Sequence, residues 1–158
     1  MKKIVLNYLL FLCIPFSIHA TSFQEKFKSC AACHGSQGIA SHAEWPHLAG
    51  QSATYLAKQL QNYKDKQGRY STIMSPISAG LSQTEIQEMA KYYASLPPSK
   101  AHVSKKYHQR GENIYRRGDF KKGVIACIIC HGPKGTGNTQ AGFPSISRQH
   151  PTYTIQEL

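Results

Sequence analysis

The sequence predicts an all-α fold built as two tandem units. Three observations carry that reading: a duplicated segment, scarce period-two alternation, and apolar residues recurring at helical spacing between proline and glycine breaks. The duplication is the strongest of the three. Cys30 to Leu60 reads CAACHGSQGIASHAEWPHLAGQSATYLAKQL, and Cys127 to Leu158 reads CIICHGPKGTGNTQAGFPSISRQHPTYTIQEL. The two Cys-x-x-Cys-His clusters lie 97 residues apart. Pro46, Leu48, Gln51, Tyr55 and Leu60 then match Pro144, Ile146, Gln149, Tyr153 and Leu158 at a spacing of 98. The one-residue change reflects a longer loop after the second histidine.

In chain order, the first segment reads as a leader. Lys2 and Lys3 precede the short apolar run Ile4 to Phe16, and the segment closes on the small residue Ala20. That is the layout of a secretory signal peptide. Asn7 and Pro15 interrupt the run, which is shorter than the roughly 20 apolar residues a membrane-spanning helix needs. Cys13 follows Leu12, which does not suit a lipid-attachment site. The expected organisation is a signal peptide at 1–20, a first unit at 21–98, a linker at 99–108 and a second unit at 109–158. Pro97 and Pro98 stop the last helix of the first unit and stiffen its exit.

Short helices are expected around Phe23 to Cys33 and around Gly111 to Arg117, each leading into a cysteine cluster. A helix from about Ala53 to Tyr63 turns Leu56, Leu60 and Tyr63 inward. Ser82 and Glu85 have the spacing of a capping box. Behind them Ile86, Met89, Ala90 and Tyr93 fall on one helical face. The stretch YSTIMSPISAGLS is expected to be an irregular loop, because it holds Pro76 and Gly80.

The chemistry sits in the clusters. Cysteine thiols add to the two vinyl groups of haem to give thioethers. Two intervening residues set the sulfurs at vinyl spacing, and the histidine that follows becomes the proximal ligand of the iron. Cys30, Cys33 and His34 are therefore expected to hold one haem, and Cys127, Cys130 and His131 a second. Two rivals remain at this point. The two Cys-x-x-Cys pairs could form one Cys₄ zinc site, although nearly a hundred residues would have to be spanned and both histidines left idle. An exported chain could also close them as disulfides.

The sixth ligand is expected to be a thioether, which favours reduced iron. Past the leader the only methionines are Met74 and Met89. Met89 belongs to an apolar helix face and reads as core. Met74 reads as the ligand of the first iron. His42, His47, His102, His108 and His150 read as surface or hydrogen-bonding residues. Pro46 is expected to orient the first proximal histidine through its carbonyl. Trp45 and Tyr55 are expected to line the haem crevice. Arg69 is either a propionate partner or a solvated charge.

The formal charge is +11 over the whole chain and +9 without Lys2 and Lys3. Four propionates would leave about +5. Export and the lack of a dense basic run exclude nucleic acid as a partner. The remaining charge suits an acidic redox protein or a peripheral seat on anionic lipid heads. No converging acid, base and nucleophile accompanies either cluster, so the chain reads as an electron carrier rather than an enzyme.

Two Cys-x-x-Cys-His motifs, the stretch from GRYSTIM to LSQTEIQEMAKYYASLPP, and the repeated Pro, Leu/Ile, Gln, Tyr pattern together resemble dihaem cytochrome c4. The resemblance covers nearly all of Thr21 to Leu158. It implies two tandem cytochrome c-like domains, each with a His/Met haem, and haem edges near the domain interface. It also implies a periplasmic carrier passing electrons from a quinol-oxidising complex toward a terminal oxidase. Met74 follows His34 by 40 residues, and the same interval after His131 passes Leu158. The expectation is thus an incomplete second domain, in a truncated chain or a fragment. Its iron would lack a methionine from this chain, and Ile114, Tyr115 and the haem edge would be exposed. The alternative function is a cytochrome subunit of an oxidoreductase complex, such as a flavoprotein sulfide dehydrogenase. A dihaem peroxidase is a third reading, one that needs a distal acid/base group and a longer chain.

Overall fold

The computed structural model describes residues 23–100 and 105–158. The expected leader, His102 and part of the expected linker lie outside the described residues. Among the described residues seven α-helices follow one another: α1 (Phe23–His34), α2 (Ala53–Asp65), α3 (Met74–Ala79), α4 (Gln83–Ser95), α5 (His108–Arg117), α6 (Ile128–His131) and α7 (Pro151–Gln156). A 3-10 turn, Phe120–Lys122, sits between α5 and α6. Among the described residues the only β pairing is two isolated bridges, Asp119 with Val124 and Asn138 with Phe143. The all-α expectation is met.

Each helix of the first domain forms for a local reason. Ser52 caps α2 by accepting from the Tyr55 amide, and Lys66, in the left-handed region at φ 54°, ends it. Ser82 and Glu85 complete the capping box of α4. Lys26 of α1 reaches both Glu85 and the Gly80 carbonyl, so the start of α4 is pinned to α1. Leu56, Ala57, Leu81, Ile86, Ala90 and Tyr93 form the core, with Phe27, Cys30, Leu48 and Leu60 packed against it. Phe27 meets Tyr92 edge-on at 4.8 Å. Met89 is 1% exposed, as its helix face requires.

One expectation needs correction. The YSTIMSPISAGLS stretch is not irregular throughout, because Met74 opens the helix α3. Pro76 falls in its first turn, where a missing N–H costs nothing, since those N–H groups have no partner within the helix. Ser71 supports the turn by accepting from the Met74 amide through its hydroxyl.

The duplication reappears in the backbone. The Gly38 carbonyl accepts from the amides of Leu48 and Ala49, at 2.8 and 3.1 Å. The Gly135 carbonyl accepts from Ile146 and Ser147, both at 2.9 Å. At Gly38, φ is +68°, and a Cβ would lie 2.9 Å from both the Ala49 nitrogen and the Tyr93 ring, so only glycine lets this loop cross α4.

The copies differ before the clusters. In the first, α1 runs unbroken through Cys30 and Cys33 to His34. In the second, α5 stops at Gly118 and α6 restarts after Cys127. Gly118 has φ +72°, and a Cβ there would press on the Val124 carbonyl at 2.4 Å. The second domain buries little apolar surface: Ala126 is its buried apolar residue, while Phe120, Ile125, Ile129 and Ile155 are 65% or more exposed. Ile114 and Tyr115 are half-buried rather than exposed, since the Tyr115 hydroxyl donates to the Gly132 carbonyl and holds α5 against the loop after α6.

Candidate functional site

The cysteine clusters are positioned by helix ends. Cys30 and Cys33 lie in the last turns of α1, and His34 closes it. Cys127 precedes α6, which carries Cys130 and ends on His131. All four thiols are free and half-buried. Burial pushes the Cys30 thiol above its ordinary value, a backbone hydrogen bond pulls it back, and Cys33 pushes it up again. Among the described residues, which include every one of these cysteines and both cluster histidines, no group of three or more metal-ligating side chains gathers. The shared Cys₄ zinc site is therefore not formed, and neither pair is closed as a disulfide.

Both histidines are held in the same way. His34, 7% exposed, donates from Nδ1 to the Pro46 carbonyl at 3.0 Å. His131 donates from Nδ1 to the Pro144 carbonyl at 2.9 Å. The carbonyl can only accept, so each Nδ1 carries the proton and the free lone pair lies on Nε2. Burial lowers the affinity of His34 for a second proton, and the Pro46 carbonyl raises it in part. A neutral imidazole with one nitrogen fixed, next to two free thiols, is the donor set covalent haem attachment uses. The residues fit that group.

Met74 is half-buried at the head of α3. Met89 is sealed in the core and has no access to a ligand. Trp45 is half-buried with His42 tilted against it, ring centroids 4.8 Å apart. Tyr55 is half-buried on α2. Arg69 is not a solvated charge, its side chain being 16% exposed. Its guanidinium donates to Gln59 at 2.7 Å, to the Tyr153 hydroxyl at 3.1 Å and to Glu157, and it lies over the Tyr63 ring at 4.8 Å. It joins the two domains.

Sequence reasoning missed the domain interface. Gln51 donates to the Ser145 carbonyl at 2.8 Å and accepts from the Ser145 amide at 2.9 Å. Gln149 donates to the His47 carbonyl at 3.0 Å and accepts from the His47 amide at 2.8 Å. His47 and His150 meet with ring centroids 3.9 Å apart, and the Ala40 backbone bridges them, its N–H donating to His47 Nδ1 and its C=O accepting from His150 Nε2. The sequence signal was the repeat itself, which pairs Gln51 with Gln149 and His47 with Ser145.

The comparisons agree with this geometry. Residues 21–97 match the cytochrome c family. The chain is 42% identical to cytochrome c4 of Thiocapsa roseopersicina over 130 residues, covering 82% of this chain and 67% of that one. A relative from Thiomonas intermedia, a thiosulfate dehydrogenase electron acceptor, is 37% identical over 134 residues, covering 82% of this chain and 61% of its own length. The crystal structure of reduced recombinant cytochrome c4 from Pseudomonas stutzeri superposes with a TM-score of 0.80 at 35% identity, covering 85% of this chain and 75% of that one. With two repeated units, twin histidine clusters and this likeness, the chain belongs to the cytochrome c4 family of dihaem electron carriers with two tandem cytochrome c domains.

Proposed function

We propose that this carrier works in the periplasm, taking electrons from a quinol-oxidising complex and passing them toward a terminal oxidase. Cys30, Cys33 and His34 would hold the first haem, with Met74 as a further donor to its iron. Cys127, Cys130 and His131 would hold the second. The domain boundaries follow the repeat, with 21–98 and 109–158 on either side of a linker at 99–108 and a signal peptide at 1–20. The bound haem supplies a one-electron ferric/ferrous couple.

The chain's own residues set the conditions for that couple. The Pro46 and Pro144 carbonyls keep Nδ1 protonated, which leaves Nε2 as the neutral donor that an iron would take. Cys30 packs against the core that includes Ile86 and Ala90, which gives the first site an apolar wall. The positive surface draws an acidic redox partner or a lipid headgroup layer. The observation that carries the reading is the matched pair of Nδ1–carbonyl hydrogen bonds, one behind each Cys-x-x-Cys pair. Membranes charged with quinol should reduce the purified protein, at a rate that falls as salt is added. No reduction, or a rate indifferent to salt, would contradict it.

The Thiomonas relative favours a second reading, in which a sulfur-compound dehydrogenase is the donor. It shares the haem sites and changes only the partner, as does the alternative of a flavoprotein sulfide dehydrogenase subunit. Faster reduction by a purified sulfur-oxidising dehydrogenase than by quinol-charged membranes would decide for it.

A further inference from the structure

We propose that Gln51 and Gln149 are crossed positioning residues: each sets, through a single peptide group, the hydrogen bond on the proximal histidine of the opposite domain. The inference rests on the ligand reading of His34 and His131 given above. It starts from the peptide groups that the two histidines contact.

Pro46 C=O and His47 N–H belong to one peptide plane. Its oxygen accepts from His34 Nδ1 at 3.0 Å, and its N–H donates to Gln149 Oε1 at 2.8 Å. Pro144 C=O and Ser145 N–H form the matching plane. That oxygen accepts from His131 Nδ1 at 2.9 Å, and the N–H donates to Gln51 Oε1 at 2.9 Å. Two hydrogen-bonded chains result, each running from an imidazole through one peptide into a glutamine of the other domain. An N–H that donates strongly polarises the C=O of the same peptide group and makes it a better acceptor, an effect of about 10–30% per bond. A better acceptor behind Nδ1 makes the imidazole a more electron-rich ligand.

The glutamines are built to hold this arrangement. Each Oε1 also accepts from the next amide in its own chain, Ser52 for Gln51 and His150 for Gln149, both at 2.9 Å. Each Nε2 donates to the carbonyl just beyond the relay peptide, Ser145 or His47. Oxygen thus faces two donors and nitrogen faces an acceptor, so only one amide orientation satisfies the network. Gln51 is 8% exposed. Residue 51 of the first copy contacts 145 of the second, and 149 of the second contacts 47 of the first. That is the reciprocity of a two-fold interface written within one chain. A movement that separates the domains weakens the backing of both histidines together, which couples the two redox centres to domain closure.

The test uses the full haem-loaded chain with Gln51→Leu and Gln149→Leu. Proton NMR follows the Nδ1–H of each proximal histidine, and a redox titration follows each haem. Gln51→Leu should raise the potential of the His131 haem and speed exchange of its Nδ1–H by less than about twofold, the loss of about 10–30% of one hydrogen bond, while His34 keeps its signals. Gln149→Leu should do the reverse. Gln51→Asn and Gln149→Asn keep a neutral amide but draw its oxygen back by one methylene from the relay N–H, so the opposite haem should again shift upward; these variants carry the test if the leucine forms fail to fold. A shift on the same-domain haem, an equal shift on both, or none would overturn the relay. A parent chain without haem would overturn the ligand reading and this inference with it, whereas a loaded parent without the crossed response overturns the relay alone.

Discussion

Replacing Arg69 by methionine should loosen the domain interface while leaving the first domain folded. The guanidinium side chain is 16% exposed and serves Gln59 in its own domain and Tyr153 and Glu157 in the other. Glu157 is 38% exposed, so that ion pair alone is worth under about 1 kcal/mol. The Tyr153 hydroxyl is different. Burial drives its affinity for the proton up to about 12, against the pull of Arg69, and losing its charged partner strands a half-buried polar group at a cost of about 1–3 kcal/mol. The cation over the Tyr63 ring adds about 0.5–1 kcal/mol. These terms overlap, and a net loss near 2 kcal/mol of domain closure corresponds to a roughly thirtyfold rise in opening. Amide hydrogen exchange at His47 and Ser145 reads this directly, because both amides are covered only by the opposite domain's glutamines. Arg69→Met should speed both about thirtyfold and Glu157→Gln no more than about fivefold. Unchanged exchange in Arg69→Met would refute the reasoning, and so would an effect of Glu157→Gln equal to it.

Other outcomes follow from the same contacts. Met74→Ala should abolish the sulfur-to-iron charge-transfer band of the oxidised protein, and Met89→Leu should leave it intact; a band lost in the second variant and kept in the first would reverse the ligand assignment. Ser82→Ala should cost about 1 kcal/mol in thermal unfolding of the first domain through loss of the α4 cap. Glu85 titrates below the ordinary carboxylate value because the Ser82 amide, then Lys26, favour its charged form; its stabilisation is present above that ordinary value and is lost as pH falls through the lowered one. Glu85→Gln should flatten that part of the acid limb of a stability–pH curve. His47 titrates low because of burial, then the nearby His150, so stability should fall as pH drops through the ordinary histidine range. Protonation would also remove the Nδ1 lone pair that accepts from Ala40, and amide exchange at Ala40 should accelerate over that interval.

What could be read from residues alone was whatever has a local cause. The capping box fixes the start of α4, the Leu56–Leu60 spacing fixes α2, and the Cys-x-x-Cys-His spacing fixes the donor set. Pro76 misled because a proline breaks a helix only past its first turn. The end of α5 at Arg117 was legible, whereas the contact of Gly118 with Val124 that turns the chain there was not, because it is not set by neighbours in sequence. Arg69 and the two glutamines act between domains, through side chain to backbone bonds that leave no pattern except the matching of the repeats. The Pro46 carbonyl was expected behind His34 and is found there; only the choice of Nδ1 needed coordinates, since a sequence cannot say which ring nitrogen meets a carbonyl.

The central claim is that each Cys-x-x-Cys-His cluster binds one haem through both thiols and the adjoining imidazole. Intact mass spectrometry of the polypeptide made in cells able to attach haem tests it most directly. The account predicts a mass raised by two haems, thiols at Cys30, Cys33, Cys127 and Cys130 closed to alkylation, and one haem lost in each of the pairs Cys30→Ala/Cys33→Ala and Cys127→Ala/Cys130→Ala. A colourless product of unmodified mass with four reactive thiols would contradict it.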